Sequence, residues 1–375
     1  MPNNHAILSA SASHRWIACP PSALLCAQEK DTPSEYALEG TAAHALCEHK
    51  LQKALKMPSE CDVNNLAFYG TEMEECSEQY VQFVMEQFAS AQEKCQDSRI
   101  MIEERLDFSR WVPKGFGTGD CIILSDGDVS VIDFKYGMGV AVEAENNSQM
   151  LCYALGVLSI YDGIYDISSV TMSIFQPRRE NISTWSISKE ELLHWAENTL
   201  KPRAELAIKG EGDFCAGEHC RFCKVKATCR KRAEYNLALA RYDFIMPNEL
   251  MDTEVEAVLT KVDQLVAWAN DVKDYALKEA LSGKKWSGYK VVEGRSTRKY
   301  TNEDEVASIL LGEGYEPYEY KLLGITAMTK LLGKKRFEEL LSGHITRAKG
   351  KPALVPMSDK RKEFKNVNED FKEEI

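Results

Sequence analysis

Two apolar runs separated by a cluster of turn formers constrain this chain more than any other stretch. Asp120-Cys121-Ile122-Ile123-Leu124 is apolar after its first residue. Ser125-Asp126-Gly127-Asp128 is rich in turn residues, and Val129 to Lys135 then resumes a β-rich run. The pair reads as an antiparallel hairpin, with Asp120 at the start of one strand and Asp133 near the end of the other, side by side. Asp133 and Lys135 are two apart and share a face of their strand. Two hard oxygen ligands converging there suit Mg²⁺ or Mn²⁺. A neighbouring ammonium can orient a water and offset charge on an attacked phosphate. The competing reading is a solvated hairpin edge with ordinary charges.

Flanking residues add donors. Glu39-Gly40-Thr41-Ala42-Ala43-His44 opens a helical segment through Leu51, and His44 offers a nitrogen ligand. Gln149 and Tyr153 fall four apart on a helix expected over 146–158, so they share one face. Taken singly, each also reads as an ordinary helix residue.

Together, Gly40-Thr41 with His44, Gly117 with Asp120, Asp133-Phe134-Lys135, and Gln149 with Tyr153 resemble the successive motifs of RecB-type nucleases of the PD-(D/E)XK superfamily. The resemblance runs over roughly residues 10 to 235. It implies an α/β fold with a restriction-endonuclease-like core, a mixed central sheet flanked by helices. It implies metal ligation by His44, Asp120, Asp133 and the Phe134 carbonyl, a catalytic Lys135, and Gln149 and Tyr153 touching substrate or site. Asp133 stands where many relatives carry Glu, which the superfamily pattern allows.

Cysteine carries a second message. The chain has 12, and its first residues have neither a basic segment nor a long apolar run. A reduced, cytoplasmic setting is therefore expected, where clustered cysteines point to metal rather than disulfides. The cluster is Cys215, Cys220, Cys223 and Cys229. Cys26, Cys47, Cys61, Cys76, Cys95, Cys121 and Cys152 are scattered and read mostly as small core hydrophobes. Cys19 precedes Pro20-Pro21, which holds its thiol at a loop. One cysteine before the core and three after it is similar to the iron–sulfur staple of AddB-like and CRISPR adaptation nucleases. That resemblance implies a [4Fe–4S] cluster on Cys19, Cys220, Cys223 and Cys229, with Cys215 spare. The same four thiolates could equally bind Zn²⁺, and the spacing does not separate the two. Closing a loop of about two hundred residues gives such a site a structural task.

Net charge is −12 and the pI near 5.3, against the usual basic balance of a DNA-binding domain. Basic residues nevertheless gather at Arg221, Lys224, Lys226 and Arg230 to Arg232, and again at Lys284, Lys285, Arg295, Arg298 and Lys299. The first group is expected to contact DNA phosphates beside the metal cleft.

At 375 residues, 44% hydrophobic and 28% charged, the chain is globular. Residues 1–235 are expected to form the nuclease-like unit, with strands at 167–176 and 181–187. A capping box at Ser188 and Glu191 opens a helix ending near Gly210. A long amphipathic helix from Pro247 to about 283 forms a connector over 236–283. Residues 284–349 form a small module with a β-like unit at 288–293 and helices at 304–311 and 326–341, and 350–375 a tail. This segment order also resembles an uncharacterised family of phage and prophage proteins. The expected function is a divalent-metal-dependent deoxyribonuclease, an exonuclease acting on DNA ends or single strands in phage replication or recombination. The alternative is a non-cleaving DNA-binding or scaffold protein that keeps the fold and staple.

Overall fold

The computed structural model describes residues 6–30, 33–239, 250–292, 302–315, 317–318 and 322–345. The chain divides into two compact units, Met1–Val291 and Val292–Ile375. The expected boundaries at 235 and 283 both lie inside the first unit.

That unit is a mixed α/β structure around a five-stranded sheet of order β1-β2-β3-β4-β5: β1 Arg99–Asp107, β2 Phe116–Ser125, β3 Asp128–Phe134, β4 Ser169–Gln176 and β5 Asn181–Ser188. All neighbours are antiparallel except β3 and β4, which run parallel. A parallel pair needs a crossover, supplied by α5 (Ser148–Tyr161). Every residue of α5 from Met150 to Leu158 is buried, as a helix apolar on all sides requires. Asn147 caps its start by accepting from the N–H groups of Gln149 and Met150.

The helices α1 (Ser13–Ala18), α2 (Ser22–Gln28), α3 (Glu35–Ala54) and α4 (Thr71–Lys94) precede the sheet. Two cores follow, one on each sheet face. Ile122, Leu124, Val129, Val131, Val170, Met172 and Ile174 pack with α5, whereas Cys121, Ile123, Ile132, Phe134 and Phe175 pack with Leu46, Leu51, Tyr80 and Val84 of α3 and α4. The β-strand alternation of side chains assigns these sets.

The capping box at Ser188 and Glu191 is present. The expected single helix beyond it is α6 (Lys189–Trp195), a π-helical turn (Ala196–Leu200) and α7 (Lys201–Lys209), closed by Gly210 at φ +71°. Then come α8 (Arg230–Leu237), α9 (Asp252–Leu259) and α10 (Val262–Leu281). The long helix expected from Pro247 thus divides near Thr260, and its first residues lie outside the described ones. Its second half is no free connector, because buried Arg232 of α8 donates to Asp271 of α10 at 2.6 Å.

Among the described residues of the second unit there are three α-helices, α11 (Glu303–Gly312), α12 (Ile325–Leu332) and α13 (Lys334–Leu341). The expected helix over 326–341 is split at Gly333, whose φ is +74°. Residues 288–292 form no strand, contrary to expectation, while Glu293, Arg295, Arg298, Lys299 and the tail lie outside the described residues.

Candidate metal centre

The hairpin delivers the carboxylates as expected. The β2–β3 ladder ends at the pair Cys121 and Ile132, so Asp120 and Asp133 are next in register. Instead of pairing backbones there, Asp120 accepts the Phe134 N–H on Oδ2 at 2.7 Å.

On the other side of β2 the ladder is also interrupted. Ile102 pairs with Cys121 and Glu104 with Gly119, but the intervening Glu103 and Asp120 do not pair. Glu103 has φ +52°, left-handed backbone that a glutamate adopts only under constraint. Both strands change faces at this point. Ile102 and Cys121 pack toward α3 and α4, yet Leu106 belongs to the α5 core, and a Cβ on Gly119 would meet Leu106. The switch lets Glu103 and Asp120 line the same small cavity as His44, Glu48 and Tyr80.

His44 sits in the middle of α3, which begins at Glu35 under a Ser34 cap; Gly40 and Thr41 are helical rather than a turn. Its ring lies edge-on to Phe134 with centroids 5.3 Å apart, and its Nδ1 is 3.3 Å from Asp120 Oδ1. One ligand atom each of His44, Glu103 and Asp120 falls within 4.8 Å of the others. Asp133, expected with His44 and Asp120, lies outside that group, and Glu103 stands in it instead. The Oδ2 of Asp133 is drawn to Lys135 Nζ at 2.8 Å. Gln149 Nε2 donates to Asp133 Oδ1 (3.2 Å) and to Tyr153 Oη (3.1 Å), and Gln149 Oε1 accepts from Lys135 Nζ (3.2 Å). Lys135, Gln149 and Tyr153 therefore form one network around Asp133.

Electrostatics follow from crowding three acids against two bases. Burial pushes Glu103 up to about 7, with Asp120 adding to it. Burial also raises Asp120, but the His44 imidazole and the Phe134 N–H outweigh it and hold the carboxyl below its usual range. Asp133 lies above its usual range because burial outweighs Lys135. For His44 and Lys135 burial works against the charge and loses to Asp120 and Asp133 respectively, so both are raised. Two of the buried polar atoms without a hydrogen-bond partner lie at this site: Asp133 Oδ2, whose lysine is close but misaligned, and the Tyr80 hydroxyl. Oxygen atoms left so beside three acids fit a hard divalent cation.

The cysteines converge as well. Cys19, Cys220, Cys223 and Cys229 line one cavity, and Cys215 and His219 line it with them. Hydrogen bonds from His219 to Cys19 and Cys220 raise its pKa to about 10. No three cysteine sulfurs among the described residues lie within 4.8 Å of one another. Cys47, Cys76, Cys121 and Cys152 belong to the apolar cores as expected, but Cys26 belongs to neither. Its sulfur is 3.7 Å from that of Cys223.

The expected phosphate-binding group is dispersed. Lys226 pairs with Asp271 at 2.8 Å, Lys224 donates to the Glu29 carbonyl, Arg221 lies over the Phe222 ring, and Arg230 lines a separate pocket with Phe214. Arg221 and Lys226 do border a cleft, but Glu143, Glu145, Glu218 and Asp263 share it.

Fold and site together define a mixed α/β protein with a five-stranded sheet flanked by helices and an acid–histidine cluster at its middle strands. Residues 5–362 match the family described as "Protein of unknown function (DUF2800)", and the chain belongs to that family. A solved structure titled "Crystal structure of SSO0001" is similar at 16% identity, over 49% of this chain and 94% of that one, with a TM-score of 0.22. Among the described residues no helix is long and apolar enough to cross a membrane.

Proposed function

We propose that the protein is a divalent-metal-dependent deoxyribonuclease with a RecB-like PD-(D/E)XK core within residues 1–235. The observation that carries this reading is the meeting of His44, Glu103 and Asp120 within 4.8 Å, beside the 2.8 Å pair of Asp133 and Lys135. Residues from α3, β1, β2 and β3 that are scattered in sequence converge there, and a packing role does not explain three acids in one buried place.

His44, Glu103 and Asp120 would hold Mg²⁺ or Mn²⁺, with Asp133 and the Phe134 carbonyl completing the set. The bound ion would act as a Lewis acid on a water and on the phosphate oxygens. Lys135, charged through Asp133, orients the attacking water and offsets charge developing at phosphorus. Gln149 fixes the rotamers of Asp133 and Lys135 at once, and Tyr153 fixes Gln149.

The cysteine-lined cavity supports the staple reading on Cys19, Cys220, Cys223 and Cys229. The resemblance to iron–sulfur nucleases favours a [4Fe–4S] cluster there, and the same four thiolates would also suit Zn²⁺. Exonucleolytic action on DNA ends or single strands during phage replication or recombination is the setting we propose.

End-labelled single- and double-stranded DNA incubated with the anaerobically purified protein and Mn²⁺ tests the reading, with Asp133→Ala as control. Cleavage by the wild type that is lost in the variant and on chelation is expected. Cleavage that persists in Asp133→Ala would refute the assignment. Retained DNA binding without cleavage would favour the non-cleaving alternative.

A further inference from the structure

Cys26 is the one buried cysteine outside both apolar cores that neither core packing nor the proposed staple uses. It lies near the end of α2, 4% exposed, and it does not line the cavity shared by Cys19, Cys220, Cys223 and Cys229. Its sulfur lies 3.7 Å from that of Cys223 and accepts the Lys224 N–H at 3.3 Å. The chain places these two sulfurs together across 197 positions of sequence, so the contact is made by the tertiary fold and not by local spacing.

We infer that Cys26 and Cys223 are a disulfide-forming pair: when Cys223 is not engaged by metal, a small disulfide oxidises the two thiols to a Cys26–Cys223 bond. The geometry needs the sulfurs to close from 3.7 Å to about 2.05 Å. Cys223 follows a short 3-10 turn, Glu218–Phe222, in an irregular segment that can yield more readily than a helix.

The chemistry balances with glutathione disulfide as co-reactant. The Cys26 thiolate, whose sulfur accepts the Lys224 N–H, attacks one glutathione sulfur and releases one glutathione thiolate, leaving a mixed disulfide. The Cys223 thiol then loses its proton, attacks the Cys26 sulfur and releases the second glutathione. The protein loses two electrons and two protons, and glutathione disulfide is reduced to two thiols. A chain oxidised in this way has lost one of the four proposed staple ligands until it is reduced. That consequence rests on the staple reading; the pairing itself does not.

The test uses the full-length protein, stripped of metal under reducing conditions, then freed of reductant and exposed to glutathione disulfide. Digestion without reductant and mass spectrometry should yield a peptide pair joining Cys26 to Cys223. In Cys223→Ser, Cys26 should instead retain a bound glutathione. Metal-loaded protein should keep Cys26 open to alkylation. A Cys223 bonded to Cys220 or Cys229, with Cys26 still alkylated in the metal-free wild type, would overturn the inference. The wild-type result decides even if the variant does not fold. Iron and zinc content of the purified protein is read separately: absence of both sinks the staple while leaving the pairing measurable.

Discussion

Gly156 offers a quantitative check on how α5 is seated. A Cβ built there would lie 2.7 Å from the Leu106 Cβ and 3.2 Å from both its Cα and its carbonyl carbon. Carbon atoms pack favourably at about 3.5–4.0 Å, so Gly156→Ala must separate α5 from β1 by close to an ångström. Overpacking of this kind costs about 1–3 kcal/mol, and the helix propensity of alanine returns about 1 kcal/mol. A net loss of about 1 kcal/mol follows, a fall in Tm of about 2–4 °C for a unit of this size. Gly40→Ala in α3 is the internal control. Its Cβ would meet nothing within 4 Å, so propensity acts unopposed and Tm should rise. Leu106→Ala should not rescue Gly156→Ala, because the crowded atoms are backbone and Cβ. Thermal unfolding by circular dichroism without added metal reads all four proteins. A rise in Tm for Gly156→Ala equal to that for Gly40→Ala would refute the close approach of α5 to β1.

Three further outcomes are expected. Lys135→Met strands Asp133, whose side chain is 3% exposed, without its counter-charge; a loss of about 3–5 kcal/mol in chemical denaturation, partly restored by Mn²⁺, is expected. Gln149→Ala should keep the fold but lower Mn²⁺-dependent cleavage about 10–100-fold, as for a residue that orients ligands; an unchanged initial rate would detach α5 from the site. Arg232→Ala should cost about 1–3 kcal/mol and expose 262–281 to protease. Burial pushes Asp271 up, but hydrogen bonds from Lys226 and Arg232 outweigh it and hold the carboxyl low. A depressed folded-state pKa stabilises above about pH 4 and ceases to do so as pH falls further, so the acid step in α10 protection should shrink in the variant.

The hairpin, the crossover helix and the Asp133–Lys135–Gln149–Tyr153 network were legible because each rests on local rules: turn residues between β-rich runs, period 2 along a strand, and i, i+4 on a helix. Glu103 was not. Arg99 to Asp107 reads RIMIEERLD, and two adjacent glutamates in the interior break the alternation that marks a strand. The break is real, since β1 changes faces at the residue with φ +52°, but only the neighbouring strand reveals it. The signal available was an acid pair inside an otherwise apolar run. Cys26 was hidden for a related reason: a buried thiol beside another looks the same in sequence as one in an apolar core. The division of the 189–209 helix leaves no mark in apolar periodicity, but Pro202, just past the π-turn, removes a backbone N–H and is the residue that marks the break.

The helix α1 touches the Glu218–Phe222 turn, and α2 touches α7. The strand-bearing region is thus entered and left at one corner of the molecule. A circular permutant that joins the residues just after α8 to those just before α1, and opens new termini at the exposed residues 56–58 between α3 and α4, severs no strand and leaves every donor of the metal centre on an intact element. Cysteines now far apart along the polymer would become near neighbours in it, and the entropic advantage of tying them together would largely vanish.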